Sequence, residues 1–371
     1  MSFLKSLSLQ NFRSYNEAHL NGLASGFIVL TGPNGAGKTN ILEAISLLSP
    51  GKGLRSADID DIQKKDAPLP WVVSAKAETI YGEIPLGTGR DPAKKRRVIR
   101  IKGEAAKSQA ELADYISCLW LTPAMDRIFL EGSSGRRKFL DRMVFAFDPS
   151  HAGRLTRYEN ALSQRSKLLK EEKAADPSWL NALEDQMAET GIAIAAGRLD
   201  FVQRLQTVCN RGDEAEFPVA DISMSGFVED RLSSLPAVKV EEDFRRQLLL
   251  SRSQDSVMGG ANAGPHRSDL QVRYRSKNMP ADQCSTGEQK ALLIGIVNAH
   301  ASLIKAERGS APILLLDEIA AHLDENRRAK LFEKLEKLGG QVWLTGTDDE
   351  LFSSIRNGQK FHVGNGGFDP F

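Results

Sequence analysis

A glycine-rich segment at residues 32–39 constrains the fold of this chain more than any other part of its sequence. Phe27 to Leu30, directly before it, form a continuous apolar run of the kind expected in a strand buried on both faces. Residues 40–48, directly after it, have the pattern of a helix. The segment matches the phosphate-binding pattern G-x-x-x-x-G-K-[ST], and its residues are Gly32, Pro33, Asn34, Gly35, Ala36, Gly37, Lys38 and Thr39.

This arrangement predicts an α/β fold with a nucleotide site. Glycines let backbone N–H groups turn toward an anion, and the N-terminus of the following helix faces the same anion. Lys38 can reach the β- and γ-phosphates, and the hydroxyl of Thr39 can bind Mg²⁺. The alternative is a chance glycine-rich turn, which the flanking strand and helix disfavour.

Two adjacent carboxylates form the second half of the expected site. Ile313 to Leu316 predict a buried strand, and ligands of open α/β sheets bind at the carboxyl ends of such strands. Asp317 is expected to hold Mg²⁺, directly or through water, and Glu318 to polarise the attacking water as general base. The alternative is an acidic pair that caps the next helix, and the phosphate loop makes it the weaker explanation.

The short polar segment Ser285 to Gln289, directly before a helix predicted from Lys290 to Ile304, narrows the class of protein. Its backbone amides and the Ser285 hydroxyl lie at a positive helix end, which favours a phosphate. The chain already has one phosphate loop, so this second site makes sense if it serves the nucleotide of another copy. A serine cap with glutamate three residues later is compatible with that role. The segment begins 32 residues before Asp317 and contributes Ser285, Gly287, Glu288 and Gln289, while Asp324 is expected near the dimer seam.

The remaining pattern predicts an α/β body split by a mainly helical insertion. Alternation places Phe3, Lys5, Leu7 and Leu9 on one face of a first strand, and residues 68–105 suggest antiparallel strands. Apolar steps of three and four over 151–209 predict two antiparallel helices of about two dozen residues each, with Pro177 near the start of the second. The expected parts are 1–125 and 257–371 for the body and 126–256 for the insertion.

Charge and composition exclude several classes of protein. The 49 Lys and Arg residues nearly balance the 48 Asp and Glu residues, which excludes a histone-like polycation but leaves room for a local basic face. No apolar run approaches the ~20 residues of a membrane span, and the opening residues show no secretory signal. Cys118, Cys209 and Cys284 are too widely spaced for a metal site or disulfide framework, which fits a reducing cytosol.

The order of phosphate loop, S-x-G-E-Q, apolar strand with Asp-Glu and then Leu-Asp resembles ABC-type ATPases. Over nearly the whole chain, further stretches resemble the RecF family, which is related to SMC and Rad50. The insertion also lies where that family has one, although about 60 helical residues can reach only a few tens of ångströms at ~1.5 Å per residue. The stretches that carry the resemblance are Leu7 to Tyr15, Leu54 to Ser56, Leu121 to Pro123, Gly135 to Asp141 and Gly264 to Leu270.

The resemblance implies a fold, an activity and partners. The fold is an ABC-type P-loop ATPase head with an inserted helical domain, and the cofactors are ATP and Mg²⁺. In the implied activity, an ATP-driven homodimer clamps DNA at gaps or single-strand/double-strand junctions and separates after slow hydrolysis. RecR and RecO are the implied partners. The resemblance also implies that the protein acts in the cytoplasm, where it supports RecA loading and the SOS response.

The resemblance also assigns roles to single residues. It makes Lys38 and Thr39 ATP ligands, Asp317 the metal ligand, Glu318 the base and Ser285 the contact to the other copy. It also places Arg13 and Arg55 where related ATPases have arginines near the nucleotide. The chain departs from the family pattern at Ala321, where a serine is usual, and at Ala124, where a glutamate is usual. ABC transporters have a switch histidine after the final strand, and Thr347 is the nearest polar candidate for that position in this chain.

Clustered cations are the candidate DNA contacts, because phosphate contacts need positive charge and no sequence recognition. The alternative for each run is a solvated surface. Aromatic residues are only 7% of the chain and none interleave these runs, so base stacking is not the expected binding mode. His266 and Arg267 fit a structural role in a Gly-Pro turn as well as a functional one. The candidates are Lys94, Lys95, Arg96, Arg97, Arg136, Arg137 and Lys138, with Arg154, Arg157, Arg165, Lys167 and Lys170 in the insertion.

Three other functions fit the sequence less well. The ATP-binding subunit of an ABC transporter is disfavoured by the Asn11 to Tyr15 opening, by the missing switch histidine and by the 253 residues between Gly32 and Ser285. A GTPase would carry an N-K-x-D segment, which this sequence lacks, and a metabolic kinase would not need S-x-G-E-Q. A non-enzymatic scaffold leaves Glu318 unexplained.

Overall fold

The structure, a computed structural model, describes residues 2–93, 96–170, 176–212, 214, 217–364 and 367–370. The chain divides into two compact units. The first unit comprises Met1–Asp126, Ala215–Phe217 and Val297–Phe371, and the second comprises Arg127–Glu214 and Pro218–Ile296.

Helices and strands from the whole length of the chain make up the two units. In chain order they are β1 Phe3–Phe12, β2 Tyr15–Asn21, β3 Phe27–Thr31, α1 Lys38–Ser46, α2 Ile59–Ile62, β4 Val72–Thr79, β5 Gly82–Asp91, β6 Arg96–Ile101, β7 Glu104–Ala105, β8 Cys118–Leu121, α3 Ser133–Phe145, α4 His151–Lys170, α5 Pro177–Cys209, β9 Ala220–Ser225, α6 Phe227–Leu232, α7 Ala237–Leu250, α8 Arg252–Met258, β10 Asp269–Tyr274, β11 Met279–Pro280, α9 Thr286–Arg308, β12 Ile313–Leu316, α10 Glu325–Leu338, β13 Val342–Gly346, β14 Gly358–Gly364 and β15 Gly367–Pro370. Single 3₁₀ turns lie at Gln109–Asp114, Pro123–Arg127, Ala281–Gln283, Ile319–His322 and Asp349–Phe352.

The division between the units differs from the expected domain boundaries chiefly at the later break, and the first unit also includes Ala215–Phe217 from the expected insertion. The first break follows Asp126, one residue beyond the expected position, but the later break falls after Ile296 rather than after residue 256. The physical reason is strand pairing, because β10 pairs antiparallel with β9 and so belongs to the three-stranded sheet of the second unit. Helix α9 contributes its residues up to Ile296 to the second unit and its remainder to the first.

A six-stranded sheet of the first unit positions the phosphate loop. Its order is β15-β14-β3-β13-β12-β8, and its strands run parallel except for β15. Every residue of β3, β12 and β13 is buried, which explains why the sequences of these strands are mainly apolar and do not alternate between apolar and polar residues. The loop at residues 32–39 and the Asp317-Glu318 pair therefore leave the same edge of the sheet.

A second, antiparallel sheet of the first unit has the order β2-β1-β4-β5-β6-β7. It confirms the antiparallel strands predicted over residues 68–105. The predicted face of β1 is wrong in part, because the pairing with β4 shifts register between Leu4 and Ser6. This irregularity places Leu4 with Leu7 and Leu9 in the core, in place of Phe3 and Lys5.

The side chain of Gln341 links the two sheets of the first unit. Its Nε2 donates to Leu4 O (2.9 Å) and to Ala24 O (2.7 Å), and its Oε1 accepts from Leu4 N (3.0 Å). The same oxygen accepts from the Trp343 indole N–H at 3.1 Å. Around this link, α1 and both sheets share one apolar core that includes Leu7, Ile41 and Trp343.

The second unit is mainly helical, as predicted. Helix α4 has 20 residues and α5 has 33, and Pro177 occupies the first turn of α5 behind the cap Asp176. The two helices are antiparallel, since Arg165 near the end of α4 pairs with Glu184 near the start of α5. The Arg165 guanidinium is fully buried between Glu184 and Asp255, so this candidate cation belongs to the interior. Among the described helices, none is both long and apolar enough to cross a membrane.

Candidate nucleotide-binding site

The phosphate loop joins β3 to α1 and depends on its glycines. Gly32, Gly35 and Gly37 have φ angles of 143°, 81° and 107°, a region that residues with a Cβ rarely adopt. A Cβ on Gly37 would lie 2.5 Å from the Tyr15 hydroxyl oxygen, and one on Gly32 would lie 2.3 Å from Val363 O. The loop is therefore shaped by its own backbone and by two residues that pack against it.

The ammonium of Lys38 closes the loop on itself. Its Nζ donates to Gly32 O at 2.6 Å and to Pro33 O at 2.9 Å, and the residue is only 5% exposed. Burial lowers the pKa of Lys38 below its ordinary value, whereas the charges of Glu318 and Asp317 act in the opposite direction. The positive charge is thus held at the mouth of the loop, where a triphosphate would meet it.

The two halves of the predicted site meet at a hydroxyl and a carboxylate. Thr39 Oγ1, in the first turn of α1, lies 2.9 and 3.0 Å from the two carboxylate oxygens of Asp317. Asp317 follows β12 and is almost wholly buried, and its backbone N–H still pairs with Leu121 O of β8 at 2.9 Å. Residues that are 278 positions apart in sequence therefore come together as the phosphate loop and the strand-end carboxylate predict.

Thr345 is a residue of this site that the sequence did not indicate. Its Oγ1 donates to Asp317 Oδ1 at 2.8 Å and accepts from the backbone N–H of Glu318 at 2.9 Å. Glu318 has a left-handed backbone, with φ of 52°, and precedes the 3₁₀ turn Ile319–His322. A threonine in an apolar strand carries no sequence signal for such a contact, because β-branched residues are common in strands.

Arg13 and Arg55 converge on a carboxylate that the sequence also did not indicate. Arg13 donates to both oxygens of Glu43, at 2.9 and 2.6 Å, and Arg55 Nη1 lies 3.3 Å from Glu43 Oε2. Glu43 is on α1, one turn after Thr39, and is only 2% exposed. Both arginines therefore lie beside the helix that carries the loop, and their predicted contact with the nucleotide stays a prediction.

The Ser285 segment begins α9 and forms a capping box. Ser285 Oγ donates to Glu288 Oε2 at 2.8 Å, and the Ser285 backbone N–H donates to the same oxygen at 2.9 Å. A hydrogen bond from Lys277, with the two from Ser285, lowers the pKa of Glu288 to about 2. Ser285 and Gly287 are exposed, whereas Gln289 is buried and donates to Cys284 O at 2.8 Å. Asp324 is exposed and caps α10 by accepting from Arg327 N at 2.9 Å.

The candidate DNA contacts differ in what their side chains already bind. Lys94 and Lys95 lie outside the described residues, whereas Arg96 and Lys138 are exposed. Arg97 is packed inward, where it donates to Thr88 Oγ1 at 2.8 Å and to Leu47 O, and burial lowers its pKa to about 10.

The second basic run is also largely engaged within the chain. Arg136 binds both carboxylate oxygens of Asp269, at 2.7 and 2.8 Å, and Arg137 donates to Ser268 O at 2.6 Å. Arg97, Arg136 and Arg137 would have to exchange these partners to bind a phosphate, so Arg96 and Lys138 are the better placed candidates.

His266 makes the contacts that the structural one of its two interpretations predicts. Its Nε2 donates to Ala261 O at 2.9 Å, because a carbonyl oxygen can only accept, and its Nδ1 then accepts from the Tyr158 hydroxyl at 2.7 Å. Burial lowers the pKa of His266 to about 4. Arg267 is exposed, although its Nε also donates to Ala261 O.

Comparison with known proteins gives the family of the chain. A family model described as RecF/RecN/SMC N terminal domain matches residues 3–364. The DNA replication and repair protein RecF of Allorhizobium ampelinum (strain ATCC BAA-846 / DSM 112012 / S4) is 46% identical over 363 residues, which are 97% of this chain and 96% of the relative.

Two solved structures match over 100% of this chain, each with 25% sequence identity. They are described as the recombination mediator protein RecF-ATPrS and RecF-ATP in the RecFOR pathway, with TM-scores of 0.90 and 0.85 and with 98% and 99% of their own chains covered. The predicted family and the ABC-type ATPase fold are confirmed, and the transporter alternative is not favoured. The chain belongs to the RecF family of DNA replication and repair proteins, within the RecF/RecN/SMC group of ABC-type ATPases.

Proposed function

We propose that this chain is an ATP-driven DNA-binding switch of recombinational repair and replication, with a weak, DNA-stimulated ATPase. The observation that carries the proposal is the direct approach of Thr39 to Asp317, beside the phosphate loop and ahead of Glu318. This combination suits a triphosphate and its hydrolysis, whereas a non-enzymatic scaffold would leave Glu318 unexplained. The name of the structural relative described as RecF-ATP supports the choice of ATP.

The residues of the site fit Mg²⁺ as the second cofactor. A threonine hydroxyl and a carboxylate oxygen lie within 3.0 Å of each other, and both are the hard oxygen donors that Mg²⁺ prefers beside substrate phosphates. When bound, Mg²⁺ neutralises charge on the phosphates and orients them for hydrolysis. Thr39 and Asp317 would hold the cation, Lys38 and the loop amides would hold the phosphates, and Glu318 would take the proton of the attacking water.

The proposed switch requires a second copy of the chain. Ser285 and the first amides of α9 are exposed at a positive helix end, which favours a phosphate. We assign this segment to the nucleotide held by the other copy, with Asp324 near the seam. ATP then joins two chains, the joined pair clamps DNA, and hydrolysis releases it.

The place of the switch in the cell follows the family. We propose action at gaps or single-strand/double-strand junctions in the cytoplasm, in support of RecA loading and the SOS response. RecR and RecO are the proposed partners, which the RecFOR pathway named for two structural relatives supports. Arg96 and Lys138 are the proposed phosphate contacts of the described residues.

A trapped dimer tests this function. In Glu318→Gln the proposed base is removed while ATP binding is kept, so the variant should form a stable dimer with ATP and turn over at least about 100-fold more slowly. Adding Ser285→Arg should restore a monomer without loss of ATP binding, since a bulky cation replaces the exposed serine. Light scattering gives the mass, and a fluorescent ATP analogue gives the binding.

The matched control is Glu318→Gln with Ser253→Arg. Ser253 is an exposed serine in the first turn of α8, and its replacement should leave the ATP-bound dimer intact. If Ser285→Arg dimerises as readily as this control, the proposed role of the segment is wrong. Unchanged turnover in Glu318→Gln would remove Glu318 as the base.

A further inference from the structure

One buried hydroxyl joins the two carboxylate residues of the proposed hydrolytic site. Thr345 Oγ1 donates to Asp317 Oδ1 at 2.8 Å and accepts from Glu318 N at 2.9 Å, so the hydroxyl acts as donor and acceptor at once. We infer that Thr345 is a positioning residue that fixes the metal-binding carboxylate and the base relative to each other. The inference rests on the proposed function, because it takes the roles of Asp317 and Glu318 from there.

The contact is specific to this hydroxyl and is not a general property of threonines in this sheet. Thr31 ends β3, the strand that pairs with β13, and it is as deeply buried as Thr345. Among the described residues, however, the Thr31 hydroxyl has no hydrogen-bond partner. The buried hydroxyl of Thr345 therefore has both a donor and an acceptor partner, whereas the buried hydroxyl of Thr31 on the neighbouring strand has neither within the part of the chain that the structure describes.

The hydrogen bond to Asp317 fixes the direction of the carboxylate. Asp317 Oδ1 accepts from Thr345 on the sheet side, while Thr39 approaches both carboxylate oxygens from α1. The bond to Thr345 does not depend on Thr39, so it keeps the carboxylate oriented when the Thr39 hydroxyl turns to a cation. Groups that orient a metal ligand in this way commonly affect metal affinity nearly as strongly as the ligand itself.

The hydrogen bond from Glu318 acts on the base. The left-handed φ of 52° at Glu318 is unfavourable for a residue with a side chain, and the backbone there sets the direction in which the carboxyl group leaves the strand. The Glu318 N–H donates to Thr345, which holds this backbone in place. One hydroxyl thus stabilises both the orientation of the carboxylate and the unusual backbone of the base.

The test compares variants that remove or keep the hydroxyl. Thr345→Val keeps the shape and removes the hydroxyl, Thr345→Ser keeps the hydroxyl, and Thr31→Val makes the same exchange at the buried threonine without a partner. Four quantities are measured: Mn²⁺ affinity of the ATP complex by electron paramagnetic resonance, ATP binding without divalent cation, the Mg²⁺ dependence of hydrolysis, and the melting temperature without nucleotide.

Thr345→Val should weaken Mn²⁺ binding and lower kcat, each by about 10–100-fold, while ATP binding without divalent cation stays unchanged. Thr345→Ser should restore most of the Mn²⁺ affinity and of kcat, and Thr31→Val should match the wild type. If Thr345→Val fails to fold, Thr345→Ala and Thr345→Ser provide the same comparison of a missing and a retained hydroxyl.

Two results would overturn the inference, and they differ from a failure of the proposed function. Wild-type Mn²⁺ affinity and kcat in Thr345→Val would show that the hydroxyl positions nothing. Equal decreases in Thr31→Val, or no recovery in Thr345→Ser, would reduce the role to packing. If the wild type itself shows no metal-dependent ATP hydrolysis, the proposed function fails and the inference fails with it.

Discussion

At the scale of single residues, Glu43 and Thr345 set the limit of what the sequence could predict at the site. Lys38 and Thr39 were predicted because they belong to one consecutive pattern with a known chemical use. Glu43 meets Arg13 across 30 positions, and Thr345 meets Asp317 across 28. Neither pair has a spacing or composition that distinguishes it, because the contacts arise only when separate strands and helices pack.

His266 gives a prediction about pH. Its folded pKa of about 4 lies below the ordinary 6.5, so the unfolded chain binds a proton that the folded chain does not in the interval between these values. The free energy of unfolding should therefore fall by about 3 kcal/mol as pH falls from 6.5 to 4. In His266→Gln this part of the pH dependence should disappear, as measured by denaturant unfolding across that interval.

The control for this prediction is the wild type, unfolded under the same conditions across the same pH interval. A His266→Gln variant that loses stability between pH 6.5 and 4 as steeply as the wild type would contradict the assignment of the effect to His266.

At the scale of elements, the strands buried on both faces were predicted well and the strands at sheet edges were not. The apolar runs before the phosphate loop and before Asp317 became β3 and β12 within one residue of the expected bounds. Strand β2 was missed, because three of its seven residues are buried in no strict alternation. The register shift in β1 was also invisible, since alternation assumes regular pairing.

Gln341 gives a prediction about how the two sheets hold together. Gln341→Leu should lower the free energy of unfolding by about 3 kcal/mol or more, because the buried backbone groups of Leu4 and the partly buried carbonyl of Ala24 would lose the hydrogen-bond partner that Gln341 supplies. Denaturant unfolding of the full chain measures the change.

Gln359 supplies the matched control at the same turn. Its Oε1 accepts from Ala24 N at 2.7 Å and its Nε2 donates to Gly22 O at 2.8 Å, but the side chain is partly exposed. Gln359→Leu should cost less than about 1.5 kcal/mol, since water can replace its hydrogen bonds. Equal decreases in stability of the two variants would mean that burial of the amide does not determine its contribution.

At the scale of the whole molecule, the two compact units differ from the two predicted parts chiefly at one boundary, which lies after Ile296 rather than after residue 256. The pattern up to residue 256 changes from helical to mixed, which suggested a return to the body. Yet β10 finds its partner in β9 and remains with the second unit. Which strand pairs with which is a long-range property, and a local change of pattern does not report it.

DNA binding gives a prediction that uses the exposed cations of β6. Arg96 and Arg100 are exposed and four residues apart on one strand, so they share a face. Arg96→Glu with Arg100→Glu should weaken binding to gapped DNA, and the slope of log affinity against log salt should fall by roughly one for each phosphate that is no longer bound. Fluorescence anisotropy at several salt concentrations measures both.

A variant of equal charge change serves as control. Lys239→Glu with Arg246→Glu reverses two exposed cations of α7 that are not candidate DNA-binding residues. It should leave the salt slope unchanged, although the net charge alters by the same amount. If both double variants had the same slope of log affinity against log salt, the β6 cations would be part of a solvated surface and not DNA contacts.

The position of β3 between β13 and β14 has a consequence for how the protein is made. The strand that carries the phosphate loop is synthesised within the first 31 residues, but both strands beside it come after residue 341. The Val363 carbonyl that closes over Gly32 is translated later still. A nascent chain therefore cannot complete its pocket until residues up to Val363 have emerged from the ribosome, and a product terminated before them would carry the loop without the walls that shape it.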